Sequence, residues 1–253
     1  MKNKITKSVS IYIIMAIIFI IVAAVAFIPT SLLLVSKVES GVRPSPPLIL
    51  HIHAATMVLW LVLFLLQSVL IKKRKYPTHK MLGLASAVLA IGILLSMYGV
   101  EFSKLERLTS SPTVLVEQAY QSTYSFLLIH STSYIFFSLF YLWAIFTTQK
   151  DSETHKRMMV LAALTLMIPG LGRLINFAQV LPDFGLSLVD SRHLYLFILI
   201  SPAIIYDIIT KRTLHRSYMI GLSLLLLWAI AAHFLWGSSL WMDKIAPMLL
   251  GNV

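Results

Sequence analysis

LILHIHAATMVLWLVLFLLQSVLIKKRKYPTHKMLGLASAVLAIGILLSMYGV, residues 48–100, sets two apolar runs on either side of Lys72-Lys73-Arg74-Lys75 and Tyr76-Pro77-Thr78-His79. Each run approaches or exceeds the ~20 residues that a helix needs to cross a hydrocarbon core of ~30 Å. The four basic residues between them belong in water or among headgroups. A helix, a charged turn and a returning helix is the reading that follows, and it makes the chain a membrane protein.

The pattern recurs outward from this stretch. Ser152-Glu153-Thr154-His155-Lys156-Arg157 and Arg212-Thr213-Leu214-His215-Arg216 again join two apolar runs, each with a histidine at the entrance to the second. Seven spans are expected, at 11–35, 48–71, 81–100, 123–147, 158–180, 194–210 and 217–236. The fold class is thus all-α, one polytopic helix bundle over 1–253, built in part from repeated two-helix hairpins. Ser45-Pro46-Pro47 leads into the second span, since prolines are tolerated only in a helix's first turn. The polar segment 101–121 reads as a loop with a short interfacial helix through Val114, Val116 and Tyr120. The segment 238–250 reads as a second interfacial piece.

Composition agrees: 58% of the residues are hydrophobic and 12% charged, with a mean hydropathy of +0.84. The net charge of +11 does not signal nucleic acid, because it segregates by loop. Lys2, Lys4, Lys7, Lys72, Lys73, Arg74, Lys75, Lys80, Lys150, Lys156, Arg157, Lys211, Arg212 and Arg216 share one end, and acids balance bases at the other. By the positive-inside rule the amino terminus is cytoplasmic, the carboxyl terminus is outside, and the expected location is a bacterial cytoplasmic (inner) membrane. The first apolar run exceeds the ~7–15 residues of a signal-peptide core and reads as a retained anchor. Zero cysteine excludes disulfides, thiolate ligands, iron–sulfur clusters and covalently attached haem. There is no Walker loop, Gly-x-Ser-x-Gly, His-Glu-x-x-His or dinucleotide glycine pattern.

Eight histidines are then the principal source of chemistry. Counted from the basic ends of their helices, His53 lies 18 residues from Ile71, His130 18 from Thr148, His193 17 from Thr210 and His233 16 from Ser217. At ~1.5 Å per residue, all four reach about 24–27 Å above the basic face, and Arg173 lies slightly deeper. His53, Met57, Trp60, Phe64 and Gln67 form one stripe, which favours His53 over His51 as the inward ring. His130, Tyr134, Phe137 and Tyr141 form a second stripe. At the basic end, Thr78 and Thr154 read as N-caps, with His79 and His155 in the first turns behind them. A neutral, ligand-competent imidazole is expected there, because the helix dipole disfavours imidazolium. The plain alternative is that these rings are amphipathic anchors facing headgroups. Arg173 inside a span implies a cavity or an anion. Asp207 is expected to pair with Lys211 or Arg212, to carry a proton, or to hold His215 in one tautomer.

The starts Thr78-His79-Lys80-Met81-Leu82-Gly83 and Thr154-His155-Lys156-Arg157-Met158-Met159, with His51-Ile52-His53, Trp60 and Gln67 upstream, resemble bacterial multi-pass families that carry His-basic-x-Leu-Gly and His-basic-x-Met helix starts. That likeness implies an inner-membrane protein and no particular activity. A more distant resemblance is to the di-haem b-type transmembrane cytochromes. It implies haem b held by bis-histidine ligation between alternate helices, His53 with His130 at one level and His79 with His155 at the other, Arg173 beside a propionate, and a quinone or other redox partner. Two further readings remain open. One is an enzyme using a divalent transition metal on His53, His130, His193 and His233. The other is a transporter or cofactor-assembly protein with Gln67, Asp207 and Arg173 along a path.

Overall fold

A computed structural model describes residues 2–110, 116–176, 179–182 and 184–250. The helices are α1 (Lys2–Glu39), α2 (Leu48–Lys72), α3 (Tyr76–Thr109), α4 (Val116–Thr147), α5 (Ser152–Thr165), α6 (Ile168–Asn176), α7 (Leu188–Lys211) and α8 (Arg216–Leu235). A π-helical turn, Leu240–Ile245, runs into the short α9 (Ala246–Leu250). No strand occurs among the described residues, and the protein is an all-α membrane bundle. Six helices are long and apolar enough to cross a bilayer, and α5 with α6 make a seventh span if the bent pair is counted as one.

That bend, 42°, breaks the continuous span expected over 158–180, whose residues Phe177 and Ala178 lie outside the described ones. Its cause is Pro169, which cannot donate to the carbonyl four residues back and instead occupies the first turn of α6. The freed carbonyl, Thr165 O, accepts from Ser133 Oγ of α4 at 2.7 Å, so the break leaves no orphaned acceptor in the apolar interior.

α4 is the centre of the bundle: 56% of its apolar window is buried, against 22–33% for the other five unbroken spans. Small side chains let α5 lie close to it, with Ser131, Thr132 and Ser133 on α4 and Ala162 and Ala163 on α5 all buried. Gly221 admits α8 to the same core, because Leu161 Cδ1 occupies the space a Cβ there would need. At the basic end, Arg157 is clamped by Asp207 through Nε to Oδ2 (2.8 Å) and Nη2 to Oδ1 (2.6 Å), and both residues are buried. Asp207 therefore joins α7 to α5 instead of pairing with Lys211 or Arg212. Lys211 bonds Glu153 Oε2 at 2.6 Å.

Three boundaries differ from expectation. α3 continues past Val100 to Thr109, so Glu101 and Lys104 are helix residues, not loop residues. Val116 and Tyr120 belong to the transmembrane α4, while Val114 lies outside the described residues. The closing segment packs inward at Trp241, whose Nε1 donates to Tyr124 O at 2.8 Å.

Candidate functional site

The two aromatic stripes face each other. Trp60 meets Phe137 edge-on at 4.9 Å and Tyr141 at 5.7 Å, and Phe137 stacks on Tyr141 at 5.8 Å. Tyr141 is fixed through its hydroxyl to Ser86 Oγ at 2.9 Å. His51 is exposed and His53 half-buried, as the stripe requires.

At the basic end, His79 of α3 and His155 of α5 stand 6.4 Å apart between ring centroids with their planes at 88°. His155 Nδ1 is 2.9 Å from Ala144 O. A carbonyl can only accept, so Nδ1 carries the proton and Nε2 keeps its lone pair. His79 Nδ1 is buried with no partner, and so is Gln67 Oε1, while Gln67 Nε2 donates to the His79 carbonyl at 3.1 Å. Both helices start three residues earlier than expected, at Tyr76 and Ser152. Thr78 lies inside α3, and the N-cap of α5 is Asp151, whose carboxylate accepts from Glu153 N (3.1 Å), Thr154 N (3.0 Å) and Thr154 Oγ1 (2.6 Å). Those hydrogen bonds hold the Asp151 carboxyl below its ordinary value, the Thr154 hydroxyl contributing most.

At the far end, His130 Nδ1 is bonded to Glu101 Oε1, so a carboxylate takes the proton-bearing nitrogen and Nε2 is left available. His53 Nδ1 is 3.2 Å from Ser96 Oγ, whose own hydrogen goes to Ile93 O at 2.9 Å. Ser96 therefore accepts from His53, and His53 Nε2 is also left available. His130, Glu101 and Arg173 each lie within electrostatic range of His53. The far-end level stands 14 residues along α4 from Ala144, about 21 Å, with Phe137 halfway.

The remaining expected residues are placed apart from these pairs. His193 donates from Nδ1 to Val189 O at 2.7 Å and accepts at Nε2 from Thr132 Oγ1 at 3.0 Å, and that hydroxyl accepts from Trp228 Nε1 at 3.0 Å. Both of its nitrogens are committed. His233 is exposed and bonds the Asp190 carboxylate at 2.9 Å. Among the described residues no group of three or more His, Asp or Glu is disposed to hold a metal ion. His215 caps α8 by accepting from Ser217 N at 3.2 Å. Burial, with Arg157 and Lys211 nearby, pushes the His215 imidazole below its ordinary value. Arg173 lies over the Phe27 ring at 4.3 Å and reaches Pro169 O at 3.5 Å.

Glu101, Ser96 and Ala144 were not anticipated as partners of the histidines. Glu101 could have been found, because no Gly or Pro interrupts the chain from Glu101 to Ser111 and the helix has no reason to stop at Val100. The carbonyl of Ala144 carries no sequence signal. No family model matches the chain, and neither a curated protein nor a solved structure is similar to it.

Proposed function

We propose that the protein is a b-type haem-binding electron-transfer protein of a bacterial cytoplasmic membrane, with its amino terminus inside. The observation that carries the reading is the pair His79 and His155. His79 and His155 would hold the iron of one haem between them. Their ring centroids stand 6.4 Å apart, close enough for one group to meet both rings, and the orphaned His79 Nδ1 is a buried polar atom in want of a partner. His155 is oriented for it by the Ala144 carbonyl, the type of outer-shell bond that fixes a ligand's tautomer.

The second level is served by His130, oriented by Glu101, and by His53, with Arg173 in electrostatic range as the partner of a propionate. Haem, when bound, supplies one-electron redox chemistry. The chain's own part is to present His79 Nδ1 and the Nε2 atoms of His155, His130 and His53, to pack Trp60, Phe137 and Tyr141 between the two levels, and to keep those levels about 21 Å apart. A quinone or another redox protein is the proposed exchange partner.

The test is a dithionite-reduced minus air-oxidised visible spectrum of detergent-purified protein expressed with haem supply, with iron analysis on the same sample. The expected result is a sharp α band of b type, halved in His155→Ala and in His79→Ala when two haems are bound. A flat spectrum without iron, or an intact band in both variants, overturns the inner pair as ligands.

A further inference from the structure

The far end of the bundle holds cations that the histidines do not use. Arg192, on the second turn of α7, is 5% exposed, and its Nε and Nη1 are buried without a hydrogen-bond partner. Its guanidinium lies against the α6 backbone at Gly172, where a Cβ would come within 2.7 Å of Arg192 Cζ. Glycine there makes room for this group. Lys104 of α3 stands over the Phe126 ring at 3.8 Å, and Arg192 Cζ is 5.5 Å from the same ring. Arg173 is also within electrostatic range of Arg192.

Two cations around one ring repel one another, and an unpaired guanidinium away from water is costly. The described acids near them are committed elsewhere: Glu101 to His130, Asp190 to His233 and to the Ser187 hydroxyl, and Glu117 to the Gln121 amide. Lys104 itself donates only to Ser122 O, at 3.4 Å. Glu101 also lies within electrostatic range of Lys104, so it is Arg192, at Nε and Nη1, that lacks a negative group among the described residues.

We propose that Arg192, with Lys104 across the Phe126 ring, binds an oxyanion, a phosphate or carboxylate group, at the far end of α3, α4, α6 and α7. A guanidinium bonded to an oxyanion forms charge-assisted hydrogen bonds, the stronger class of such bonds, and a nearby ammonium adds long-range attraction. The group comes either from a phospholipid headgroup or from a soluble anion. The inference does not depend on iron at either histidine level.

The test follows the thermal unfolding midpoint of the full chain in phosphate-free detergent. One series adds inorganic phosphate at constant ionic strength, balanced with chloride. Another adds phosphatidylglycerol against a phosphate-free glycolipid. The midpoint is expected to rise with at least one probe, since a ligand of the native state stabilises it. A response to phosphate assigns a soluble source, and a response to phosphatidylglycerol alone assigns a lipid. In Arg192→Gln the half-saturating concentration is expected to increase about tenfold or more, with a smaller increase in Lys104→Gln. Lys104→Gln carries the test if the buried variant does not fold. No response of the unaltered chain to either probe overturns the proposal, as does an unchanged half-saturation in every variant that folds.

Discussion

At the scale of single residues, hydrogen bonds to Nδ1 decide what each histidine can do. Ala144 O fixes His155, Glu101 fixes His130 and Ser96 fixes His53, whereas His193 is saturated at both nitrogens. Helix heights and stripes drew attention to all of these rings alike, because height does not distinguish a ring with a free nitrogen from one already bonded. Glu101→Gln keeps an acceptor for His130 Nδ1 but removes its charge. It should weaken haem binding at the far-end level about 10–100-fold and leave the His79/His155 level unchanged, as read by haem stoichiometry in an absorbance titration. A different effect belongs to His215, which accepts a hydrogen bond as a cap and must be neutral to do so. Its depressed folded-state value means that the unfolded chain binds the proton more readily. The stabilisation is therefore complete above the ordinary value of 6.5 and declines as pH falls below it. Asp151, the cap of α5, stays charged throughout that window, because its own value is held below 3.8. Removing the cap in His215→Ala should cost about 0.5–2 kcal/mol near neutral pH. His215→Asn caps without titrating, so the difference in unfolding midpoint between it and the unaltered chain should widen from pH 7.5 to 5.5. A constant difference would count against the cap.

At the scale of elements, apolar length located six helices long enough to cross a bilayer and the bent α5–α6 pair, since burying a helix in lipid demands ~20 suitable residues whatever it packs against. Length alone does not say where a helix ends once it leaves the apolar zone. The extension of α3 to Thr109 followed from the absence of a breaker, and it turned Glu101 and Lys104 from loop charges into side chains facing α4 and Phe126. Pro169 marked a disturbance in the fifth span, but the resolution of that disturbance lies on another helix, in Ser133. The turns also separate the hairpins. Arg74 and Arg212 adopt the left-handed conformation, with φ of 58° and 57°, while the α4–α5 turn closes instead on the Asp151 cap. A shared histidine and basic residue could not reveal that difference. Because Ser133 Oγ is the partner of the carbonyl that Pro169 sets free, Ser133→Ala should leave Thr165 O unsatisfied and destabilise the protein by about 1–3 kcal/mol. The loss would be read as a lower unfolding midpoint in detergent. Ser138→Ala is the control, since that hydroxyl bonds only its own helix at Tyr134 O, 2.7 Å away, and its midpoint should change less.

At the scale of the whole molecule, the distribution of charge and the distribution of function are coupled. The basic end carries the His79/His155 pair and the Arg157–Asp207–Glu153–Lys211 network, and the far end carries Glu101, His130 and the cations around Phe126. With the basic end in the cytoplasm, as we propose from the loop charges, the oxyanion proposed at Arg192 would be drawn from outside the cell or from the outer leaflet, and electrons would enter or leave the proposed His79/His155 site on the cytoplasmic side. Orientation thus fixes which partners can reach which level. It is directly measurable here, because the chain contains no cysteine and one introduced thiol is a unique label. Lys73→Cys, in the α2–α3 turn, should resist a membrane-impermeant maleimide in intact cells and react once the membrane is opened. Arg43→Cys, exposed between α1 and α2, should react in intact cells. The opposite pattern would invert the molecule, placing the oxyanion site in the cytoplasm and the His79/His155 pair toward the outside, with both sets of partners exchanged.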